Sequence, residues 1–259
     1  MPLDPWLAAE LVALGICTGF LAGMLGVGGG MMQVPFLTII LSNKGVPAGL
    51  AIKMAIATSM ATIVFTSLSS LRAHHRRGAV RWDLVRGIAP GIVAGGLLAG
   101  AGVFALFISF SAVQMMRDRK PKATRQMPGM LGQTALGGGI GLLSGLVGAG
   151  GAFIASPFMS WCNVPMHQVV ATSAALGFPV ALASTAGYLI SGWGLPSALP
   201  GALGYLYLPA LLIVSMASVG MAPLGARAAH AMDVKQLKRR FALVLFALAC
   251  YMLYRAVSA

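Results

Sequence analysis

Long apolar runs, separated by short basic stretches, constrain this chain more than any other feature. The runs cover about residues 6–41, 49–71, 84–116, 130–160, 168–190, 199–225 and 241–257. A helix needs about 20 residues to cross the roughly 30 Å hydrocarbon core of a bilayer. Only 9% of the residues are charged, whereas about 25% is usual in a soluble domain. The sequence therefore predicts an all-α, polytopic membrane protein with seven to eight spans.

The distribution of basic residues supports the same class. A formal charge of +13 would suggest nucleic-acid binding in a soluble protein. Here the basic residues cluster between apolar runs, at 72–86, 117–125 and 227–240. Such clusters are typical of membrane proteins, whose orientation depends on an uneven distribution of lysine and arginine between the two sides. We predict the lipid bilayer as partner, and no nucleic acid. With eight spans, the first two clusters would lie on one side of the membrane and the third on the other. With seven spans, the cluster at 117–125 would lie on a side by itself, so the topology stays open.

A glycine-rich element occurs twice in the chain. Its matching positions, first copy and then second, are Gly19, Gly23, Gly26, Gly28, Gly29, Pro35 and Phe36, and Gly141, Gly145, Gly148, Gly150, Gly151, Pro157 and Phe158. Three blocks follow in the same order: Val46-Pro47 with Val164-Pro165, Ala57-Thr58-Ser59 with Ala171-Thr172-Ser173, and Phe104-Ala105-Leu106 with Phe241-Ala242-Leu243. We predict two tandem transmembrane repeats of about four helical segments each, at 1–118 and 130–259, joined by a basic linker at 119–129.

The repeated glycines predict an interrupted helix in each half. Gly26 to Gly30 precede Pro35, and Gly148 to Gly151 precede Pro157. Each glycine weakens a helix by about 1 kcal/mol, and proline removes a helical hydrogen bond. Irregular backbone at membrane depth is tolerated where it is buried in protein or lines a watery cavity. A helix that restarts there would direct free N–H groups at an anion; close packing of small residues is the alternative.

Polar residues early in the second helix of each half are further candidates. The pairs Thr58-Ser59 and Thr172-Ser173 supply hydroxyl donors, although such residues commonly hydrogen-bond back to their own helix. Lys53 and His167 precede these pairs by about one turn. Both would draw an anion toward the site, unless they simply lie at the membrane interface.

Enzyme chemistry has little support in the sequence. There is no HExxH, GxSxG or GxxxxGK[ST] motif. His74, His75 and His230 fall in basic stretches that we interpret as loops, and the separated Cys17, Cys162 and Cys250 are interpreted as packing residues. We predict no catalytic residue, no metal site and no cofactor.

The scarcity of acids bears on the direction of transport. Only Glu10, of five acids, could lie within the membrane, so a proton relay through buried carboxylates is poorly supplied. Export of an anion from a negative-inside cell needs no such relay, because the potential contributes about 2.3 kcal/mol per charge per 100 mV.

Four groups of residues together carry a family resemblance. They are the duplicated GxxxGxxGxGG(G/A)xxxxPF element, the VP…ATS block, the segment His75-Arg76-Arg77-Gly78-Ala79-Val80-Arg81-Trp82, and Pro223-Leu224-Gly225-Ala226-Arg227. With them the chain resembles the TauE/SafE sulfite exporter family over about residues 10–255. The resemblance implies a multi-pass permease of the bacterial inner membrane that moves sulfite, sulfoacetate or a similar anion. It also implies that the two glycine clusters, their prolines, Lys53, His167 and the two Thr-Ser pairs bind the substrate.

The sequence as a whole predicts a secondary transporter that exports a small sulfur-containing anion. The expected site lies where both broken helices meet, and opens alternately as one half moves against the other. An anion channel, a carrier of another small anion, or a membrane partner protein without transport activity remain alternatives. The coupling ion and the oligomeric state stay open.

Overall fold

The computed structural model of the protein describes residues 5–26, 29–97, 127–148, 150–195 and 199–231. Its elements are the helices α1 (Pro5–Leu25), α2 (Gly30–Asn43), α3 (Ala48–His75), α4 (Trp82–Leu97), α5 (Met130–Val147), α6 (Ala152–Trp161), α7 (Met166–Ser191) and α8 (Leu208–Ala231), and the strands β1 (Ala202–Leu203) and β2 (Leu206–Tyr207). Among the described helices, α1, α3, α7 and α8 are long and apolar enough to cross a membrane. The helical membrane class is thus confirmed, and the count of seven to eight spans stays a prediction.

Several of the sequence predictions fall on residues that the structure does not describe. The run at 241–257, the end of the run at 84–116, most of the linker at 119–129 and the Phe104 and Phe241 blocks lie outside the described residues. The interpretation of 199–225 as one helical run is corrected. An antiparallel ribbon of two strands, β1 and β2, with two residues each, precedes the helix, which begins at Leu208. Gly201 and Gly204 have φ values of +83° and +55°, which a right-handed helix does not allow.

Helices α1 and α8 pack in parallel along a row of glycines. Gly15 faces Val214, and further along both helices Gly19 faces Ser218 and Gly23 faces Ala222. A Cβ at Gly23 would collide with the carbonyl of Ala222. Small residues let membrane helices approach this closely, so the first and last described helices form one packing unit.

Helices α4 and α5 make the corresponding pair. Gly137 and Gly141 of α5 lie against Ile88 and Ile92 of α4, in the same direction along both helices. Each of these glycines has backbone where a Cβ would stand. A helix of the predicted first half therefore packs along a helix of the second half in both pairs, and the halves interleave.

The long helices α3 and α7 lie between these pairs and run in opposite directions. The end of β2, just before α8, is bonded to Thr58 of α3, and the backbone just before α4 is bonded to Thr172 of α7. Near their middles, Gly177 of α7 faces Ser67 of α3. Helices α1, α3 and α8 thus point one way, and α4, α5 and α7 the other.

The two ends of the molecule differ in charge. We call the end that holds the C-termini of α3 and α8 the basic end, and the opposite end, with the β1–β2 ribbon, the ribbon end. Arg77 Nη1 of the first basic cluster donates to the carbonyl of Ala226, 3.3 Å away. Eight spans would put clusters 72–86 and 227–240 on opposite sides, and that placement is therefore wrong for the described parts of both clusters.

The apolar run at 6–41 doubles back as a helical hairpin, because Gly29 lies against Thr18. The number of apolar runs in the sequence therefore does not give the number of membrane crossings.

Candidate functional site

Both predicted helix breaks are present, and left-handed glycines form them. Gly26 (φ +68°) follows α1, and Gly29 (φ +74°) caps the start of α2. In the second half, Gly148 (φ +71°) ends α5, and Gly151 (φ +73°) caps α6. Glycine adopts this conformation without the steric penalty that a Cβ brings. Gly28 lies outside the described residues. Helices α2 and α6 continue through Pro35 and Pro157, so the glycines, and not the prolines, interrupt the helices.

The two breaks meet in the interior of the protein. A Cβ at Gly30 would collide with the carbonyl oxygen of Gly148, and it would also contact Ile63 and the hydroxyl of Ser59 near the middle of α3. A Cβ at Gly148 would lie 2.8 Å from Val34 Cγ2 of α2. The glycine turns of the two halves are therefore packed directly against each other.

Each break presents the positive end of a helix. The N–H groups of Met32 and Gln33 donate to the Gly29 carbonyl at 3.2 Å. In the other half, Ile154 and Ala155 donate to the Gly151 carbonyl. The N–H groups before these have no acceptor within the helix, and a helix N-terminus carries an effective charge of about +0.5. Two such ends suit an anion without any charged side chain.

Hydroxyl and amide groups, buried except for the half-buried Ser156, line the starts of both restarted helices. Ser59 Oγ donates to Gln33 Oε1 at 3.1 Å, and the hydroxyls of Ser173 and Ser156 lie 2.9 Å apart. Gln33 is 1% exposed. Sequence reasoning selected Ser59 and Ser173 but missed Gln33 and Ser156. Polar side chains within membrane helices are costly to bury and often functional, and that signal would have pointed to Gln33.

The threonines of the two Thr-Ser pairs hydrogen-bond to neighbouring segments of the fold. Thr58 Oγ1 accepts the backbone N–H of Tyr207 at 3.0 Å, and Thr172 Oγ1 accepts that of Arg81 at 3.2 Å. Both hydroxyls thus bond to another segment, not back to their own helix. They hold the starts of α8 and α4 against the central helices.

Lys53 and His167 lie away from the glycine turns, near opposite ends of the molecule. Lys53 Nζ lies 5.8 Å from the centroid of the Tyr205 ring, at the ribbon end, in the range of a cation–π contact. His167 is exposed in the first turn of α7, at the basic end. These positions fit the interfacial alternative that the sequence left open.

A buried side chain contacts the last turn of each interrupted helix. His74 Nε2 lies 3.0 Å from the Gly23 carbonyl oxygen, and Tyr188 Oη donates to the Gly145 carbonyl at 3.3 Å. The interpretation of His74 and His75 as loop residues is wrong. Helix α3 extends to His75, and packing against α1 buries His74 to 1% exposure. The side chain of His230 lies outside the described residues.

Two cavities lie at the ends of the molecule, apart from the glycine turns. One cavity of about 220 Å³ is lined by arginines at the basic end, and another of about 230 Å³ lies beside Trp193 at the ribbon end. Within the described ranges, no cluster of three or more His, Cys, Asp or Glu side chains could hold a metal. Cys17 is exposed and Cys162 is buried, and neither forms a disulfide with another described cysteine. Cys250 is not among the described residues.

Comparisons with known proteins agree with the membrane fold. The model of the family described as "Sulfite exporter TauE/SafE" matches residues 11–252. A probable membrane transporter protein of Haemophilus influenzae is 34% identical over 92% of this chain and 95% of its own. One from Methanocaldococcus jannaschii is 25% identical over 94% of each chain. Another from Bacillus subtilis is 26% identical over 95% of this chain and 97% of its own. No solved structure matches the chain significantly.

Proposed function

Because the chain belongs to the TauE/SafE sulfite exporter family, we propose that it exports a small sulfur-containing anion, such as sulfite or an organosulfonate. Family and relatives make it a membrane transporter of this type. The names of the relatives specify no substrate. In our proposal the protein is a secondary transporter of the bacterial inner membrane.

The contact between the glycine turns at Gly30 and Gly148 carries the proposal. It brings the N-termini of α2 and α6 to the centre of the protein, beside the hydroxyls of Ser59 and Ser173. An oxyanion accepts several hydrogen bonds at once, and backbone N–H groups at helix ends supply such donors. We assign Gln33 and Ser156 to this site, and leave Lys53 and His167 to the interfaces.

The halves at 1–118 and 130–259 are, in our proposal, repeats of inverted direction. Equivalent contacts support this: His74 with Gly23 and Tyr188 with Gly145, and the Thr58 and Thr172 bonds to the starts of α8 and α4. Inverted repeats commonly place a substrate site at mid-membrane, where broken helices meet.

The interleaving changes which parts could move. Because α1 packs along α8 and α5 along α4, one sequence half cannot shift as a body without breaking both glycine-lined contacts. We propose instead that the α1–α8 and α4–α5 pairs move relative to each other. The packed turns at Gly30 and Gly148 then represent a closed site, which an anion enters when they separate.

Replacing Gly30 by valine tests the site. The new side chain would collide with the Gly148 carbonyl and with Ile63, so we expect sulfite flux in proteoliposomes to fall at least tenfold while membrane insertion persists. Gly49→Val is the matched control, because a Cβ there has no described neighbour within 4 Å. Normal flux through inserted Gly30→Val protein would refute the site.

The same vesicles separate the alternative functions. Saturation and counterflow with sulfite or sulfoacetate, in competition with thiosulfate and sulfate, would support a carrier and rank its substrates. Flux without saturation would identify a channel instead. Absence of flux, together with a melting temperature that none of these anions raises, would favour the non-transporting partner protein.

A further inference from the structure

Three arginines surround a cavity at the basic end. Arg76 and Arg77, at the end of α3, and Arg227, near the end of α8, line a space of about 220 Å³. Ala73 and Pro223 complete the wall between the two helices. The cavity therefore lies at the membrane-proximal junction of two helices that are both long enough to span the bilayer.

The positive charge of this cavity exceeds what the described residues supply to balance it. Arg77 uses one of its donors on the Ala226 carbonyl. Two helix C-termini contribute only about −0.5 charge each, against three guanidinium groups. Among the described residues the cavity therefore keeps a net positive charge, which an anionic group would complement.

Neither acid that the structure describes is available for these arginines. Asp83 forms an ion pair with Arg81. Hydrogen bonding to the Arg81 guanidinium lowers the pKa of Asp83, so this carboxylate stays charged and engaged. Glu10 lies exposed in the second turn of α1, toward the ribbon end.

Exposed apolar side chains on α8 and α3 continue from the cavity toward the middle of the membrane, and we call the surface between these two helices the apolar groove. On α8, Leu212, Met216 and Val219 are 60%, 77% and 37% exposed, and their spacing puts them in one stripe with Pro223 and Arg227. On α3, Phe65 is 49% exposed and shares a stripe with Ala73 and Arg76. The bond from Ser69 Oγ to the carbonyl of Val219, at 2.9 Å, joins the two helices beneath this groove.

We propose that this groove is a binding site for an anionic phospholipid, with the phosphate at Arg76, Arg77 and Arg227. The acyl chain lies along the stripe from Pro223 to Leu212, which is about 16 Å long, close to half the hydrocarbon thickness. Trp82 supports this depth: it is 40% exposed and its Nε1 donates to His75 Nδ1, and tryptophan favours the headgroup level. Basic pockets between membrane helices suit such headgroups. The proposal is independent of the transported substrate.

Thermal melting in neutral detergent with added lipid tests the site. We expect phosphatidylglycerol to raise the melting temperature of the wild-type protein more than phosphatidylcholine does. The double variant Arg76→Gln/Arg227→Gln should lose at least half of that difference. Arg86→Gln is the matched control, because Arg86 is exposed at the same end but does not line the cavity, and it should retain the full difference.

The remaining arms separate the lipid from a free anion. Inorganic phosphate at the concentration of the lipid should not reproduce the shift, because it lacks the chain that occupies the groove. If the glutamine variant cannot be purified, Arg76→Lys/Arg227→Lys keeps the charge, loses the planar donor geometry, and should bind fewer phosphatidylglycerol molecules in native mass spectra than wild type. Equal effects of both lipids, a full shift in the double variant, unchanged lipid binding in the lysine variant, or a phosphate effect equal to that of the lipid would overturn the proposal.

Discussion

At the scale of single residues, the hydroxyl groups of the central helices divide by what they contact. Ser59 and Ser173 face the restarted helices α2 and α6. Thr58 and Thr172 accept N–H groups from the residues just before α8 and α4. Neighbouring residues in one motif thus serve two purposes, because adjacent positions on a helix point about 100° apart.

Replacing Thr58 by valine should destabilise the protein. The change leaves the buried N–H of Tyr207 without its acceptor, and an unsatisfied buried donor costs about 1–3 kcal/mol. The matched control is Thr38→Val, because the Thr38 hydroxyl only donates to Val34 of its own helix, and little stability should be lost. Thermal melts in detergent compare the two variants, and equal losses would contradict the assigned role of Thr58.

At the scale of elements, glycine rows set the distances between the paired helices. In α5, Gly141 faces the backbone of Ile92, whereas a Cβ at Gly139 has no described neighbour within 4 Å. The two positions therefore differ in contact while sharing one helix and one residue type.

Leucine at position 141 should push α5 away from α4. We expect Gly141→Leu to lower the melting temperature markedly and to reduce the yield of folded protein. Gly139→Leu should be close to neutral or slightly stabilising, since leucine favours helix over glycine by about 0.8 kcal/mol. Size-exclusion profiles and melts measure both effects, and a tolerated Gly141→Leu would show that the α4–α5 contact is looser than described.

At the scale of the whole molecule, the described basic residues are distributed unequally between the two ends. Arg72, Arg76, Arg77, Arg81, Arg86 and Arg227 lie at the basic end, and Lys44 and Lys53 lie toward the ribbon end. Lysine and arginine excess marks the cytoplasmic side of a membrane protein. We therefore expect the basic end to face the cytoplasm.

Cysteine labelling in cells tests this orientation. In a background without the native cysteines, Trp193→Cys should react with an impermeant maleimide added outside, because Trp193 is 81% exposed at the ribbon end. Arg86→Cys should react only after the inner membrane is permeabilised. The reverse pattern would show that the basic end faces the periplasm.

Local information in the sequence was sufficient for the membrane class and for both helix interruptions. Apolar length and charge scarcity predict spanning helices wherever they occur in the chain, and a glycine at positive φ is a property of its own backbone. The breaks between Leu25 and Gly30 and between Val147 and Ala152 were predictable for that reason. Spacing, charge and the family resemblance pointed to Lys53 and His167, and none of these says which end of a bundle a side chain occupies.

Tertiary structure alone decided which residues face one another. The bond between Ser59 and Gln33, the meeting of Gly30 with Gly148, and the arginines gathered from α3 and α8 each join positions far apart in the chain. Such pairings follow from how helices stack and in which direction they run, and these depend on close packing over whole surfaces. Hydropathy is an average over those surfaces. It therefore predicts how many apolar segments the chain has, but not which segments pack against one another.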